Sequence, residues 1–401
     1  MSAVEGRLVA LREQVREWGV DFRRLGLALD RDPELIRAHL DLPAVRYLAT
    51  MGIPPEYGNL PDSVAGSRCY GTRALERVII LEELACADVG MLVASPGPLL
   101  VGVLIDLLAD REQKEWFYGR LLAEPLWTFF ALAEPDGGTG TGTEGTSGTA
   151  ANSGTTLTQV GDDVRLSGEK RYVVNACRAR LGVVFARVGS GVLGVNAVLV
   201  ETPTPGFSAT PLESIGLRGA RIGAITMDDV HVPAARLVGR HLPPAQRGTW
   251  ASVQTFNLLR PAVAAIALGI ARAAHEYVVD HRTTLRRDER DRLDELGRRV
   301  TAARALVHLA ARAVDARTSD GHLASAAQAR ACRLAVDATR AACGFFGVGA
   351  RFDHPLLDKL VRDARGLEVV EGAAKLNLFQ GLFTGRLDRD DPFRVGVGSP
   401  R

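Results

Sequence analysis

The sequence predicts an α+β protein in which an N-terminal α-helical domain and a C-terminal α-helical bundle flank a middle antiparallel β-domain. Three textures along the chain predict it. The first hundred or so residues carry apolar side chains at three- and four-residue intervals. From Leu126 the chain breaks into short stretches rich in β-branched and aromatic residues, separated by Gly, Pro, Asn and Asp. From about Ala251 it turns Ala-rich and helix-periodic over long runs. The expected boundaries are residues 1–125, 126–240 and 241–401.

In the first region, LEELACADVGMLVA (81–94) and PLLVGVLIDLLADREQKEWFYGRLL (98–122) read as helices. Ser95-Pro96-Gly97-Pro98 is a turn between them, and GIPPEYG (52–58) is a loop. The expected strands are WTFFALAE (127–134), TLTQV (156–160), DVRLSG (163–168), KRYVVNA (170–176), LGVVFARV (181–188) and GVNAVLVE (194–201), ending near VHVPAARLVG (230–239). RPAVAAIALGIARAAHEYVVDHR (260–282), LDELGRRVTAARALVHLAARAVDAR (293–317) and LASAAQARACRLAVDATRAACGFF (323–346) suggest antiparallel bundle helices, with a last helix from Glu371 to about Thr384. Between Gly137 and Thr156 nearly every residue is Gly, Thr, Ser, Ala or Asn. Such a tract buries too little apolar surface to offset its ordering entropy, so it reads as a mobile loop unless a bound anionic cofactor orders its first turn.

Bulk properties narrow the function. With 49 basic and 47 acidic side chains the net charge is +2, which gives no electrostatic case for nucleic acid or an anionic membrane. No apolar stretch reads as long enough to cross a bilayer, and Glu5 and Glu13 interrupt the opening residues, unlike a secretory signal. Cys69, Cys86, Cys177, Cys332 and Cys343 show no metal-type spacing; they read as small hydrophobes in a reducing cytosol, so a cytoplasmic location is expected.

Five segments, in order, resemble the acyl-CoA dehydrogenase family. WTFFALAEPDGGTGTG (127–142) is similar to the strand-and-loop motif A-L-T-E-P-x-x-G-S-D, and LSGEKRYVVNA (166–176) to L-x-G-x-K-x-W-I-T-N-G. GLRGARIGAITMDDVHVPAARLVG (216–239) looks like the stretch that closes the family's β-domain, and RPAVAAIALGIARAAHEYVVDHR like its first bundle helix. LVRDARGLEVVEGAAKL (360–376) looks like R-D-A…E-G-T, which bears the catalytic base in many members. The resemblance implies an acyl-CoA dehydrogenase-like fold, FAD as cofactor, oxidation of an acyl thioester, and a homodimer or homotetramer.

The resemblance also assigns residues. Glu371 is the implied base that removes the α-proton while the flavin takes the β-hydride, and Glu368 is the fallback. A carboxylate among apolar neighbours has its pKa raised toward the working pH. The other reading of Glu371 is a solvated helix-start glutamate favoured by the dipole. Phe130, Leu132, Ala133, Thr139, Tyr172, Val174, Arg282, Gly372 and Ala373 fall at cofactor-binding positions, Arg282 reaching toward the neighbouring subunit's FAD. Arg260 and Val370 fall on the substrate side, where Arg260 serves a ligand or an ordinary ion pair. A Gly-rich turn after a strand presents backbone N–H groups to pyrophosphate or flavin oxygens.

Several positions depart from the pattern. The T of T-E-P is Ala133, the T of W-I-T-N is Val174, E-G-T ends in Ala373, and the turn usually written G-G-x-G is Gly344-Phe345-Phe346-Gly347-Val348-Gly349. The form E-P-D-G-G, with K-R-Y-V-x-N-A, is most similar to members from bacterial polyketide and other secondary-metabolite pathways, which implies an acyl group on an acyl carrier protein or on CoA. Two other functions stay open: a flavin-poor scaffold or non-redox enzyme on this fold, and an oxygen-using flavin monooxygenase.

Overall fold

The computed structural model describes residues 3–64, 66–135, 154–161, 163–188, 195–243, 246–247, 251–319 and 321–370. Five helices open the chain among these residues: α1 (Ala3–Arg31), α2 (Pro43–Thr50), α3 (Ala74–Ala94), α4 (Leu99–Leu108) and α5 (Arg111–Ala123). On α1, Leu11, Val15, Phe22, Leu25 and Leu29 recur at helical spacing and are buried against α3. The stretch 98–122, expected as one helix, is two. Asp110 leaves the helical region and caps α5: its carboxylate accepts from the Gln113 N–H at 2.9 Å while the Gln113 side chain returns a bond to the Asp110 N–H at 3.2 Å. Helix α3 kinks at Asp88 (φ −163°, ψ 116°), whose carboxylate takes the Met91 N–H freed by the kink at 2.8 Å.

A small hairpin, β1 (Ser63–Val64) and β2 (Ser67–Arg68), precedes α3. The main sheet comprises β3 (Thr128–Ala131), β4 (Thr156–Val160), β5 (Asp163–Val173), β6 (Leu181–Arg187), β7 (Val195–Glu201), β8 (Phe207–Pro211) and β9 (Gly223–Pro233), ordered β3-β6-β4-β5-β9-β8 with β7 on β6. Most neighbours are antiparallel, as expected. The exceptions are β3 beside β6, with Thr128 opposite Leu181, and the single contact of β4 with β6; both are parallel. The stretch 163–168 and the first part of 170–176, as far as Val173, form one strand, β5, because its pairing with β9 continues through two irregularities.

The second helical region contains α6 (Ala251–His281), α7 (Arg287–Ala316), α8 (His322–Cys343), α9 (Ala350–Asp353) and α10 (Pro355–Val370). Helix α6 starts well before residue 260 and runs through Pro261. Contrary to the expectation from sequence, its segment Gln254–His281 is apolar and long enough to cross a bilayer by length and composition. In this fold 78% of its most apolar part is buried, packed against α3 and α8, so its hydropathy is that of a core helix. A last helix was expected from Glu371 to about Thr384, which lies outside the described residues; among the described residues α10 runs from Pro355 to Val370. One large core joins α1, α3, α6, α7, α8 and α10 to one face of the sheet, and a smaller one lies under α4, α5 and the opposite faces of β6 and β7.

Candidate active site

Strand β3 delivers the first candidate residues. Alternation along it sends Phe129 and Ala131 into the large core and Phe130 toward the smaller one, where its ring meets Phe185 at 5.0 Å between centroids. Leu132 also packs on the smaller core, so main-chain atoms are what these two residues can offer a cofactor. That main chain is held from behind. The Leu132 carbonyl accepts from Lys170 Nζ at 3.0 Å, and the Ala133 carbonyl accepts from the Arg171 N–H at 2.9 Å. Glu134 Oε1 accepts from Lys170 Nζ at 3.0 Å and from the Thr155 N–H at 2.9 Å. Burial pushes the Lys170 ammonium below its usual range, although Glu134 opposes the shift.

Strand β5 explains Tyr172. Val164, Leu166 and Lys170 share the buried phase, which alternation would extend to residue 172. The register with β9 slips between Lys170 and Val173, so Val173 becomes the buried residue and Tyr172 is left 40% exposed at φ +60°. The Arg171 guanidinium lies 5.7 Å from its ring centre. Val174 is half-buried against the large core. Asn175, also left-handed (φ +59°), is buried. Its N–H donates to Ala220 O at 2.7 Å and its Nδ2 to Val93 O at 3.4 Å, while its Oδ1 has no hydrogen-bond partner among the described residues.

The helical side comes near through α10, which packs on β5 and ends its described course at Val370. A bridge reinforces the approach: Asp363 of α10 accepts the Leu217 N–H at 2.7 Å, three residues before the Ala220 that receives Asn175. Thr139, Glu371, Gly372 and Ala373 lie outside the described residues.

The two arginines are not brought together. Arg260 and Arg282 are separated by about 33 Å of helical rise along α6 and its end, too far to serve one small group. Arg260 is buried, donates to Asn257 Oδ1 at 3.2 Å and sits 5.7 Å from the Phe256 ring; burial pushes its pKa down to about 10. Arg282 bonds to Glu289 at 3.3 Å and to Thr284 O at 3.4 Å, beside the N-terminus of α7.

A flavin ring asks for a flat apolar face and polar partners along one edge. The described residues fit: Tyr172 offers an exposed ring, Asn175 keeps a buried acceptor uncommitted, and the 132–134 main chain is fixed. Side-chain hydroxyls are absent at Ala133 and Val174, so at these positions only backbone groups could offer a polar contact. Lys170, Glu134 and Asn175 did not stand out as site residues in sequence. The available signal was Lys170 in phase with Val164 and Leu166, a charge on the apolar face of a strand.

Comparison with known proteins places the chain in a family. The family model "Acyl-CoA dehydrogenase, middle domain" matches residues 130–230 and "Acyl-CoA dehydrogenase, C-terminal domain" matches 246–378, together more than half of the chain. Cyclohexane-1-carbonyl-CoA dehydrogenase of Geobacter metallireducens is 27% identical over 343 residues, 82% of this chain and 84% of that one. The enzyme of the same name from Syntrophus aciditrophicus is 28% identical over 97% of this chain and 94% of its own. Among solved structures, butyryl-CoA dehydrogenase of Megasphaera elsdenii superposes with a TM-score of 0.77 at 24% identity, covering 94% of this chain and 98% of that one. The prolyl acyl carrier protein oxidase AnaB superposes equally well, at 0.77, with 18% identity and the same coverage. The chain belongs to the acyl-CoA dehydrogenase family of FAD-dependent oxidoreductases.

Proposed function

We propose that the protein converts an acyl thioester to its α,β-unsaturated form, with the acyl group carried by an acyl carrier protein or by CoA, in bacterial secondary metabolism. The observation that carries this reading is the meeting of α10 with β5: the helix whose described course reaches Val370, the residue before Glu371 in sequence, packs on the strand that bears Tyr172. Glu371 is the base. Its carboxylate takes the α-proton, the β-hydrogen leaves as hydride, and the electron pair left at Cα closes the new double bond. Bound FAD supplies the acceptor for that hydride. Two apolar residues, Val369 and Val370, precede Glu371 in sequence, and an apolar setting would raise a carboxylate's pKa toward the working pH. Val370 and Arg260 belong to the substrate side; Phe130, Leu132, Ala133, Thr139, Tyr172, Val174, Gly372 and Ala373 hold the ring, with Arg282 toward a neighbouring subunit. The motif form E-P-D-G-G supports the carrier-linked substrate, free cysteines suit a cytoplasmic location, and resemblance to the family supports a homodimer or homotetramer.

The test is anaerobic bleaching of the FAD-loaded protein by butyryl-CoA, cyclohexane-1-carbonyl-CoA and the same acyl groups on a phosphopantetheinylated carrier protein. Bleaching is expected, faster from the carrier protein, and lost in Glu371→Gln while FAD stays bound. Protein that takes up no FAD, or holds it unbleached by every thioester, overturns the reading. Undiminished bleaching in Glu371→Gln moves the base, with Glu368 next in line.

A further inference from the structure

We propose that Lys170 is a positioning residue for the cofactor: it clamps the Leu132 carbonyl and the Glu134 carboxylate at once, and so fixes the main chain of Ala133 on which the ring rests. The inference rests on the FAD assignment above. Lys170 is wholly buried, yet its ammonium is not packed as a hydrocarbon; Nζ lies 3.0 Å from each of the two oxygens that flank Ala133. A buried ion pair is weak as a source of stability, because an apolar side chain of the same volume often does as well or better. Its use here is geometric. The Arg171 N–H holds the next carbonyl, that of Ala133, so consecutive residues of β5 grip consecutive carbonyls after β3.

The clamp reaches further through Glu134. Its Oε1 also accepts the Thr155 N–H, and Thr155 in turn bonds Glu169 O through its hydroxyl and takes the Arg187 N–H on its carbonyl. Glu134 and Thr155 stand at the two ends of the Gly- and Thr-rich tract, so one buried ammonium ties the exit of β3 to the entry of β4. In a chain with Ala133 and Val174 where hydroxyls are usual, ring placement depends on backbone, and the backbone here depends on Lys170.

The variants are Lys170→Met, Glu134→Gln and the charge-free pair Lys170→Met/Glu134→Gln, which removes both ions together and keeps the protein foldable. Three quantities are read: the FAD dissociation rate from recovery of free-flavin fluorescence, the visible circular dichroism of protein saturated with FAD, and the thermal midpoint of the apoprotein. Expected is at least tenfold faster FAD release and an altered flavin dichroism in the double variant, with the apoprotein midpoint close to that of the parent. Double-variant release within twofold of the parent with unchanged dichroism overturns the clamp. So does a loss of FAD matched by a fall in the apoprotein midpoint, which marks a structural role. Parent protein that binds no FAD overturns the cofactor assignment itself, a result separate from failure of the clamp.

Discussion

Lys359 and Asp363, one turn apart on α10, are joined by an Nζ–Oδ2 contact of 2.7 Å wholly out of solvent. The same ammonium reaches Asp88 Oδ2, at the α3 kink, at 2.8 Å. Two carboxylates thus share one cation, and burial with the neighbouring Asp88 charge holds Asp363 above its usual range despite Lys359. Lys359→Met strands both carboxylates inside the protein. A loss of about 3–5 kcal/mol in unfolding free energy is expected, read by denaturant titration. A loss below about 1 kcal/mol, in the range of surface pairs, would show that the triad is not anchoring α10.

Acid stability is assigned to Glu82, a fully buried residue of α3. Burial disfavours its charge, but His308, Arg272 (3.0 Å) and Arg304 outweigh that and hold the carboxyl at about 2. The folded-state pKa lies below the unfolded one, so the unfolded chain binds the proton more readily. The contribution, about 3 kcal/mol, is present above the ordinary carboxylate range and is lost as pH falls from about 4.5 toward 2. Glu82→Gln is expected to lower stability at neutral pH and flatten the acid limb of a stability–pH curve. An unchanged acid slope in the variant would assign that limb to other carboxylates.

These charged clusters also mark the limit of what the sequence discloses. The α1 stripe and the apolar runs of β6 and β7 are legible because their periodicity is local. Lys359 and Asp88, or Glu82 and Arg304, meet only after distant segments pack, so neither side of a pair announces the other. Strand β8 (FSATP) escaped notice because it is short and ends in proline, and the β3–β6 pairing because orientation is not written into a strand's composition. At the candidate site, the motifs that resemble the family's were visible as residues. The exposure of Tyr172 was not, since a register slip reverses the phase that alternation predicts.

Helix packing makes a pair of glycine predictions of opposite sign. A Cβ on Gly269 of α6 would lie 2.6 Å from Ala85 Cβ and 2.7 Å from Glu82 O on α3, so the two helices would have to separate. Gly269→Ala is expected to destabilise by about 1–3 kcal/mol, overriding its better helix propensity. Gly119, within α5, has nothing within 4 Å of the added carbon, and Gly119→Ala is expected to stabilise by about 0.5–1 kcal/mol. Thermal unfolding of the two variants side by side checks both signs, and like-signed shifts would refute the packing account.

The missing hydroxyls give the last prediction. Val174 is half-buried and threonine is close to valine in shape, so Val174→Thr places an O–H next to the Tyr172 position, at a cost wherever that hydroxyl finds no partner. Ala133→Thr does the same after β3, where Lys170 and Arg171 already hold the flanking carbonyls. A regained neutral hydrogen bond is worth about 0.5–1.5 kcal/mol, so FAD affinity should rise about 2- to 13-fold for each substitution. Equilibrium titration of apoprotein with FAD, followed by quenching of flavin fluorescence, measures this directly. Tighter binding in both variants places positions 133 and 174 against the ring. Unchanged binding in both would mean that the ring is seated elsewhere, because a hydroxyl aimed at solvent gains nothing from the cofactor.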